Sequence, residues 1–209
     1  MLSACGLLGN NGDDGPRNIV FSAKDDSGTY QIFVMREDGS GLKQLTNDEF
    51  SSSDPAWSQD GQRIAFTSSW DFIDADSARF RQELYLMDTD GSDLQRLTTE
   101  EVFIGTISWH PEGRSIAFAA SGLHLFDLSE GLVSGIEVNL SEDLRSKVRP
   151  VEWSDDGELL LLSVTEEFPK SAFFYLTIIQ IRLNVFHLAL SKLWGQTGLY
   201  SLRIRNTKN

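Results

Sequence analysis

The fold is decided by the stretch Trp57-Ser58-Gln59-Asp60-Gly61, which is followed after two polar residues by Ile64-Ala65-Phe66. The stretch returns at 109–113 with 116–118 and, more loosely, at 153–157 with 160–162; residues 19–22 match the end of an earlier copy whose start is missing. The last position of the apolar triplet falls at residues 21, 66, 118 and 162, so successive copies are 45, 52 and 44 residues apart. Repeats of roughly 40 to 50 residues indicate stacked units, none of which can bury its hydrophobic faces alone.

Each repeat predicts four antiparallel strands. A first strand ends at the tryptophan, and an Asp-Gly or Glu-Gly turn leads into a nearly continuous apolar strand such as 63–68. A third strand, such as 83–87, is followed by a second glycine turn and a short outer strand that ends in Leu-Thr or Leu-Ser. Four strands recurring at this period predict an all-β protein, a β-propeller with two complete and two partial repeats that form either a small closed ring or an incomplete ring.

The recurring tryptophans and glycines are interpreted as structural residues. Their recurrence at one repeat position favours packing within or between blades, and the glycines suit tight turns. These positions are Trp57, Gly61, Trp109, Gly113, Trp153 and Gly157. Trp70 and Phe72 differ, because they lie in a seven-residue insertion between the second and third strands of one repeat. Insertions in repeat proteins project as loops, often on the binding face, so these two aromatic residues are the candidate ligand loop.

Charge divides the chain at Glu167. All 31 acidic residues lie at or before it with 12 of the 18 basic ones, so residues 1–167 carry −19 and residues 168–209 carry +6. An acidic repeat region argues against binding to a phosphate backbone, and we expect no nucleic-acid partner. The apolar, acid-free segment 168–209 leaves three alternatives: a membrane span made costly by its polar residues, a terminal element that covers a blade edge, or a segment not native to the fold, as a frameshift would produce.

The only cysteine, Cys5, has a neighbourhood that suggests lipid attachment. Leu2-Ser3-Ala4-Cys5 is similar to a bacterial lipobox, and the polar, glycine-rich segment 6–17 is typical of a flexible tether. We therefore interpret residues 1–5 as the remnant of a lipoprotein signal, 6–17 as a tether and 18–167 as the propeller blades. Membrane association is expected only through the lipid on Cys5, at the cell envelope with the domain facing the periplasm or the surface.

Recognised catalytic and metal-binding patterns are missing from the sequence. No Gly-x-Ser-x-Gly elbow or phosphate-binding loop occurs, and no histidine spacing suggests zinc. Asp88-Thr89-Asp90 begins like a calcium loop, yet its twelfth position is Thr99 rather than glutamate. We therefore predict no catalytic residue, metal or cofactor, with a cation at Asp71, Asp74 and Asp76 as a minor alternative.

The same residues carry a family resemblance. The segments 31–48 and 54–66 resemble the WD40-like repeats of the TolB propeller family, and the resemblance extends over roughly residues 19–164. It implies a non-catalytic propeller of the bacterial cell envelope that binds a protein or glycan. Similar repeats also occur in propellers attached to serine peptidases of the prolyl oligopeptidase type. The alternative is therefore the propeller remnant of such a peptidase, or of another hydrolase, without its catalytic domain.

Overall fold

The computed structural model describes residues 3–7, 18–69, 82–99, 104–137, 148–165, 176–182, 190–192 and 203–205. Every helix or strand among them is a β-strand. No helix long and apolar enough to cross a membrane is found in these ranges. The chain divides into two compact units, Met1–Gly105 and Thr106–Asn209.

The first unit contains two four-stranded antiparallel sheets. The first sheet consists of β1 (Ser3–Leu7), β2 (Asn18–Lys24), β3 (Tyr30–Arg36) and β4 (Lys43–Gln44), in that order. The second sheet consists of β5 (Ser52–Trp57), β6 (Arg63–Ser68), β7 (Glu83–Asp88) and β8 (Gln95–Arg96), also in sequence order. Both sheets show the predicted order of strands within a blade.

Apolar side chains from both sheets form one core. Strand β5 lies against β1, β2 and β3. The buried cluster joins Val20 and Ile32 of the first sheet to Trp57, Ile64, Phe66, Tyr85 and Met87 of the second. Because each sheet contributes a face to this cluster, neither repeat buries its apolar residues without the other.

Two buried hydrogen-bonded pairs fix the segment that follows each outer strand. In the first sheet, Thr46 Oγ1 donates to Gln31 Oε1 at 2.6 Å and accepts the backbone N–H of Ile32 at 2.9 Å. In the second sheet, Thr98 donates to the carboxylate of Glu83 and accepts the N–H of Leu84 at 3.0 Å. These bonds satisfy polar groups that burial would otherwise leave without a partner.

The second unit repeats the arrangement. Its sheets are β9 (Ile107–Trp109), β10 (Ser115–Ala119), β11 (Leu123–Asp127) and β12 (Leu132–Glu137), and then β13 (Val148–Trp153), β14 (Leu159–Thr165), β15 (Leu176–Arg182) and β16 (Leu190–Lys192). A fifth strand, β17 (Arg203–Arg205), pairs with β12. Strand β13 lies against β9, β10 and β11, as β5 lies against the first three strands of its unit.

The first strand of the earliest repeat is present, which differs from the sequence interpretation. Strand β1 pairs antiparallel with β2 and places Leu7 opposite Ile19. Trp57 stands opposite Ile64 in the same register, so Leu7 takes the tryptophan position of its sheet. Gly6 and Leu7 therefore lie in a strand, although the sequence analysis interpreted them as part of the tether. The Trp-to-Gly motif that marks this strand in other repeats is missing here, but two strands pair through their backbone groups and do not require the motif. Residues 8–17 lie outside the described residues.

Segments of the tail also form blade strands. Strand β15 pairs with β14 along its whole length and sets Ile181 opposite Leu160, as Met87 stands opposite Ile64. Together β15 and β16 supply the third and fourth strands of the last sheet. Two segments within 168–209 thus supply strands to the fourth copy, which the sequence analysis interpreted as a partial repeat. Turn motifs and acidic residues are missing from this segment, yet an apolar run such as 176–182 pairs without either.

Candidate functional site

The recurring tryptophans are buried at the last residue of their strands. Trp57, Trp109 and Trp153 are 7–9% exposed. Trp153 Nε1 donates to the carbonyl oxygen of Ser108 at 3.3 Å, which links β13 to β9. Trp57 Nε1 has no hydrogen-bond partner among the described residues.

The glycines of the repeated turns have the left-handed conformation that favours glycine. Their φ angles are 67° at Gly61, 66° at Gly113 and 68° at Gly157. In two of these turns a serine accepts a backbone N–H five residues later and donates to an aspartate, with Ser58 Oγ 2.6 Å from Asp60 Oδ1. The third turn carries a histidine at the serine position.

His110 packs against the neighbouring turn of its unit. It is 5% exposed, its ring lies edge-on to Trp153 with centroids 4.7 Å apart, and Nε2 is 3.3 Å from the carbonyl oxygen of Gly157. Burial, followed by the nearby charge of Arg114, lowers the pKa of His110 below its ordinary value of 6.5. A neutral histidine therefore joins two turns. His124, the other histidine among the described residues, stacks on Phe118.

The predicted ligand loop and the predicted lipid-attachment site both stay predictions. Trp70 and Phe72 lie outside the described residues, so the ligand loop stays a prediction. Cys5 lies in β1 opposite Phe21, and lipid attachment there also stays a prediction. The described residues contain no group of three or more His, Cys, Asp and Glu side chains that could hold a metal ion.

A site that the sequence analysis did not single out lies on β5, at Asp54. The pairing of β5 with β6 is interrupted between Ser53 and Ala56, and Asp54 has a φ of 50°. Bulges and non-glycine residues of positive φ are found preferentially near functional sites, because they aim a side chain away from the regular ladder. Strands β1 and β13 have irregular pairing at the equivalent place, so it is the half-buried carboxylate at positive φ, and not the bulge alone, that makes Asp54 the candidate centre of a site.

Hydroxyl groups contact this carboxylate, and an amide is hydrogen-bonded to one of them. Ser53 Oγ donates to Asp54 Oδ2 at 3.2 Å and lies 3.1 Å from Thr67 Oγ1. Gln82 Nε2 donates to the same serine oxygen at 3.2 Å. The neighbouring cross-strand pair, in which Ser52 Oγ donates to Ser68 Oγ at 3.1 Å, lies on the opposite face of the sheet. We call Ser53, Asp54, Thr67 and Gln82 the Asp54 cluster.

The electrostatics suit recognition of a positive or N–H-bearing group. Asp54 is half-buried, and this burial raises the pKa of its carboxyl, although hydrogen bonds from Ser53 and Thr67 oppose the shift. A carboxylate that has lost part of its hydration gains more than an exposed one from an ammonium or amide donor. The sequence does contain a signal for this site, because serine and threonine occupy residues 51–53 and 67–69, around the ends of β5 and β6 that pair with each other. Its half-buried position within a bulged strand distinguishes Asp54 from the many turn aspartates.

Comparison with solved structures decides the fold. TolB from Acinetobacter baumannii superposes with a TM-score of 0.63 over 94% of this chain and 45% of its own, at 13% identity. The chain has a TolB-like β-propeller fold. A putative TolB from Agrobacterium tumefaciens gives a TM-score of 0.60 at 16% identity, covering 91% of this chain and 71% of its own. A puromycin-hydrolyzing peptidase from Mycobacterium tuberculosis gives 0.60 at 11% identity, covering 91% of this propeller chain and 28% of its own.

Sequence relatives of this propeller are peptidases by name. The uncharacterized peptidase YuxL of Bacillus subtilis strain 168 is 33% identical over 96 residues, which are 46% of this chain and 14% of that protein. Dipeptidyl-peptidase 5 of Porphyromonas gingivalis is 46% identical over 46 residues, 22% of this chain and 7% of that protein. The chain thus matches a small part of each relative. No protein-family model matches the sequence.

These names correct one prediction. The sequence analysis predicted that the chain is not an enzyme, and that prediction is contradicted by two relatives and one structural neighbour that are named peptidases. It rested on the missing nucleophile elbow. The absence of an elbow from repeats is a weak criterion, since repeat positions serve packing and fold alone does not fix function.

Proposed function

We propose that this chain is the β-propeller part of a peptidase. The observation that carries the proposal is the 33% identity over 96 residues to a protein named a peptidase. It is supported by the 46-residue match to dipeptidyl-peptidase 5 and by the fold shared with a puromycin-hydrolyzing peptidase. In this proposal the propeller binds the peptide substrate and a separate catalytic domain cleaves it.

The Asp54 cluster is our candidate for contact with the peptide. A peptide presents backbone N–H donors and an ammonium group at its amino terminus. The Asp54 carboxylate accepts such donors, and the hydroxyl groups of Ser53 and Thr67 can turn to donate or accept as the peptide requires. A hydrogen bond to a charged group contributes about 1.5–3 kcal/mol, enough to affect affinity roughly tenfold or more.

The peptidase assignment is tested on the native gene product. An antibody against a peptide from the described turn 36–44 is used to isolate the protein from cells that express the gene from its own locus. The isolated polypeptide is then treated with a fluorophosphonate probe, which labels active serine hydrolases. We expect one polypeptide to carry both the epitope and the label. The proposal that the protein is a serine peptidase would be contradicted if the isolated polypeptide, identified over its full sequence by mass spectrometry, were never labelled by the probe.

The role of Asp54 is tested by peptide titration of the purified chain. We expect Asp54→Asn to weaken binding of a peptide with a free amino terminus about tenfold and to leave the acetylated peptide within twofold. Asp38→Asn is the matched control, because Asp38 is an exposed turn residue whose carboxylate accepts the Ser40 N–H. Trp70→Ala in the same titration tests the predicted ligand loop. Equal affinities for Asp54→Asn and Asp38→Asn would remove Asp54 from the site.

We also propose that the protein works at the bacterial cell envelope and is anchored there by lipid on Cys5. At that location a protein or glycan is the alternative to a peptide substrate as the ligand of the propeller. The TolB-like fold and the lipobox-like residues before Cys5 support this location. Cleavage before Cys5 would remove Ser3 and Ala4, yet the pairs Cys5–Phe21, Gly6–Val20 and Leu7–Ile19 would remain. Metabolic labelling with an alkyne-bearing palmitate should mark the native protein and not Cys5→Ser; labelling of both, or of neither, would count against the anchor.

A further inference from the structure

The outer edge of the third sheet differs from the outer edges of the first unit. Strands β4 and β8 are two residues long, Lys43–Gln44 and Gln95–Arg96. Strand β12 has six residues, Leu132–Glu137, and pairs with β11 over the five residues Leu132–Ile136. A long outer strand presents a row of backbone donors and acceptors to any chain that approaches it, whereas a two-residue strand presents almost none.

A segment of the same chain occupies part of this edge. Strand β17 pairs antiparallel with β12 through Gly135–Arg205, Ile136–Ile204 and Glu137–Arg203. No described strand pairs with Leu132, Val133 or Ser134 on that side, and the side chain of Leu132 is 54% exposed. Among the residues that the structure describes, half of this edge is filled by a strand, and the other half presents the exposed Leu132 with no strand paired to it.

The pairing shows which chemistry this edge accepts. Its register sets the acidic Glu137 opposite the basic Arg203 and the buried Ile136 opposite Ile204. Opposite charges and aliphatic pairs at facing positions each stabilise an antiparallel pair. We propose that the outer edge of β12 is a docking site for an extended peptide of alternating basic and aliphatic residues, which adds to the sheet as an extra strand, and that β17 is its internal occupant.

Register defines the rest of the ligand. Residues two apart on a strand share a face, so a residue opposite Leu132 lies on the same face as residues opposite Ser134 and Ile136. A ligand longer than β17 would place an aliphatic side chain beside Leu132 and pair with the backbone of the three residues that β17 leaves open. Main-chain hydrogen bonds then provide affinity and the alternating side chains provide selectivity, as in other cases of strand addition.

The test uses two labelled hexapeptides and the full chain. The basic probe is fluorescein-Arg-Ile-Arg-Ile-Thr-Leu-amide, and the acidic control replaces both arginines by glutamate at equal length and apolar content. Affinities are measured by fluorescence anisotropy for the wild type, for Ile204→Pro and for Glu137→Lys. Proline has no N–H and disrupts a strand, so Ile204→Pro should release the internal occupant without altering β12.

We expect the basic probe to bind the wild type at least tenfold more tightly than the acidic control. Ile204→Pro should tighten its binding at least fivefold, and Glu137→Lys should reverse the preference between the two peptides. Hydrogen exchange should slow on binding at residues 132–137. The proposal would be overturned if the two peptides bound equally or if the acidic peptide bound more tightly. It would also be overturned if Ile204→Pro bound the basic probe with the affinity of the wild type, or if the protection from hydrogen exchange were confined to residues other than 132–137.

Discussion

The contact between His110 and Gly157 allows a prediction whose size follows from the structure. Gly157 has a φ of 68°, and a Cβ atom added there would lie 2.5 Å from both Cε1 and Nε2 of His110. The ring cannot move away freely, because it is 5% exposed and packs edge-on against Trp153. Gly157→Ala should therefore destabilise the second unit both through its backbone and through this ring.

The magnitude has two parts. An alanine in the left-handed region costs about 1–2 kcal/mol. Displacing His110 would also remove its hydrogen bond to the Gly157 carbonyl, about 0.5–1.5 kcal/mol, and its ring contact with Trp153, about 0.5–1.5 kcal/mol. We expect a loss of about 2–5 kcal/mol in the free energy of unfolding.

Gly113 provides a matched control within the same unit. Its φ is 66°, yet nothing lies within 4 Å of an added Cβ, so Gly113→Ala should show only the backbone cost of about 1–2 kcal/mol. The free energies are measured by urea unfolding, followed through tryptophan fluorescence and circular dichroism. The double variant Gly157→Ala with His110→Ser should recover part of the loss, since serine occupies that turn position at residues 58 and 154. Equal losses for the two alanine variants would refute the reasoning, as would a double variant whose loss is the sum of the single ones.

Two further predictions concern buried polar groups. As the pH falls through about 6.5, His110 should take up a proton in the unfolded chain but not in the folded chain, where its pKa is lowered. The free energy of unfolding of the wild type should therefore decrease between pH 7.5 and the folded-state pKa of His110. His110→Ser should lose less stability over this range, as measured by urea unfolding at each pH. A wild type and variant with the same pH dependence in this window would contradict it. Thr98→Val should cost about 2–3 kcal/mol, more than Thr46→Val, because Thr98 donates to a buried carboxylate and Thr46 to a neutral amide. Urea midpoints in the reverse order would refute this comparison.

Much of the blade architecture could be predicted from the sequence because it depends on local chemistry. The positive φ angles of Gly61, Gly113 and Gly157 follow from the turn motif, and the buried strands at 64–66 and 116–118 follow from their apolar runs. The motif also predicted which strands pair. The insertion at Trp70 and Phe72 was equally visible in the sequence, as a departure from the repeat spacing.

The candidate site could not be predicted in the same way. Asp54 looks like any other aspartate of this acidic chain, and serine-rich segments are common in turns. Its importance arises because a bulge gives it a positive φ and because Thr67 and Gln82, distant in sequence, come to lie around Ser53. Such contacts depend on the bulge that shifts the pairing of β5 with β6, and the alternation of residues along one strand does not reveal a bulge.

The sequence by itself determined the repeat, its strand order and its turns, because hydrophobic period and glycine chemistry act within a few residues. The tertiary structure alone decided that Leu7 stands where other sheets have tryptophan, that 176–182 completes the last sheet, and that 203–205 lies on β12. These three segments lack the repeat motif. They join sheets because an open strand edge accepts any extended chain whose backbone groups and apolar residues fit its register.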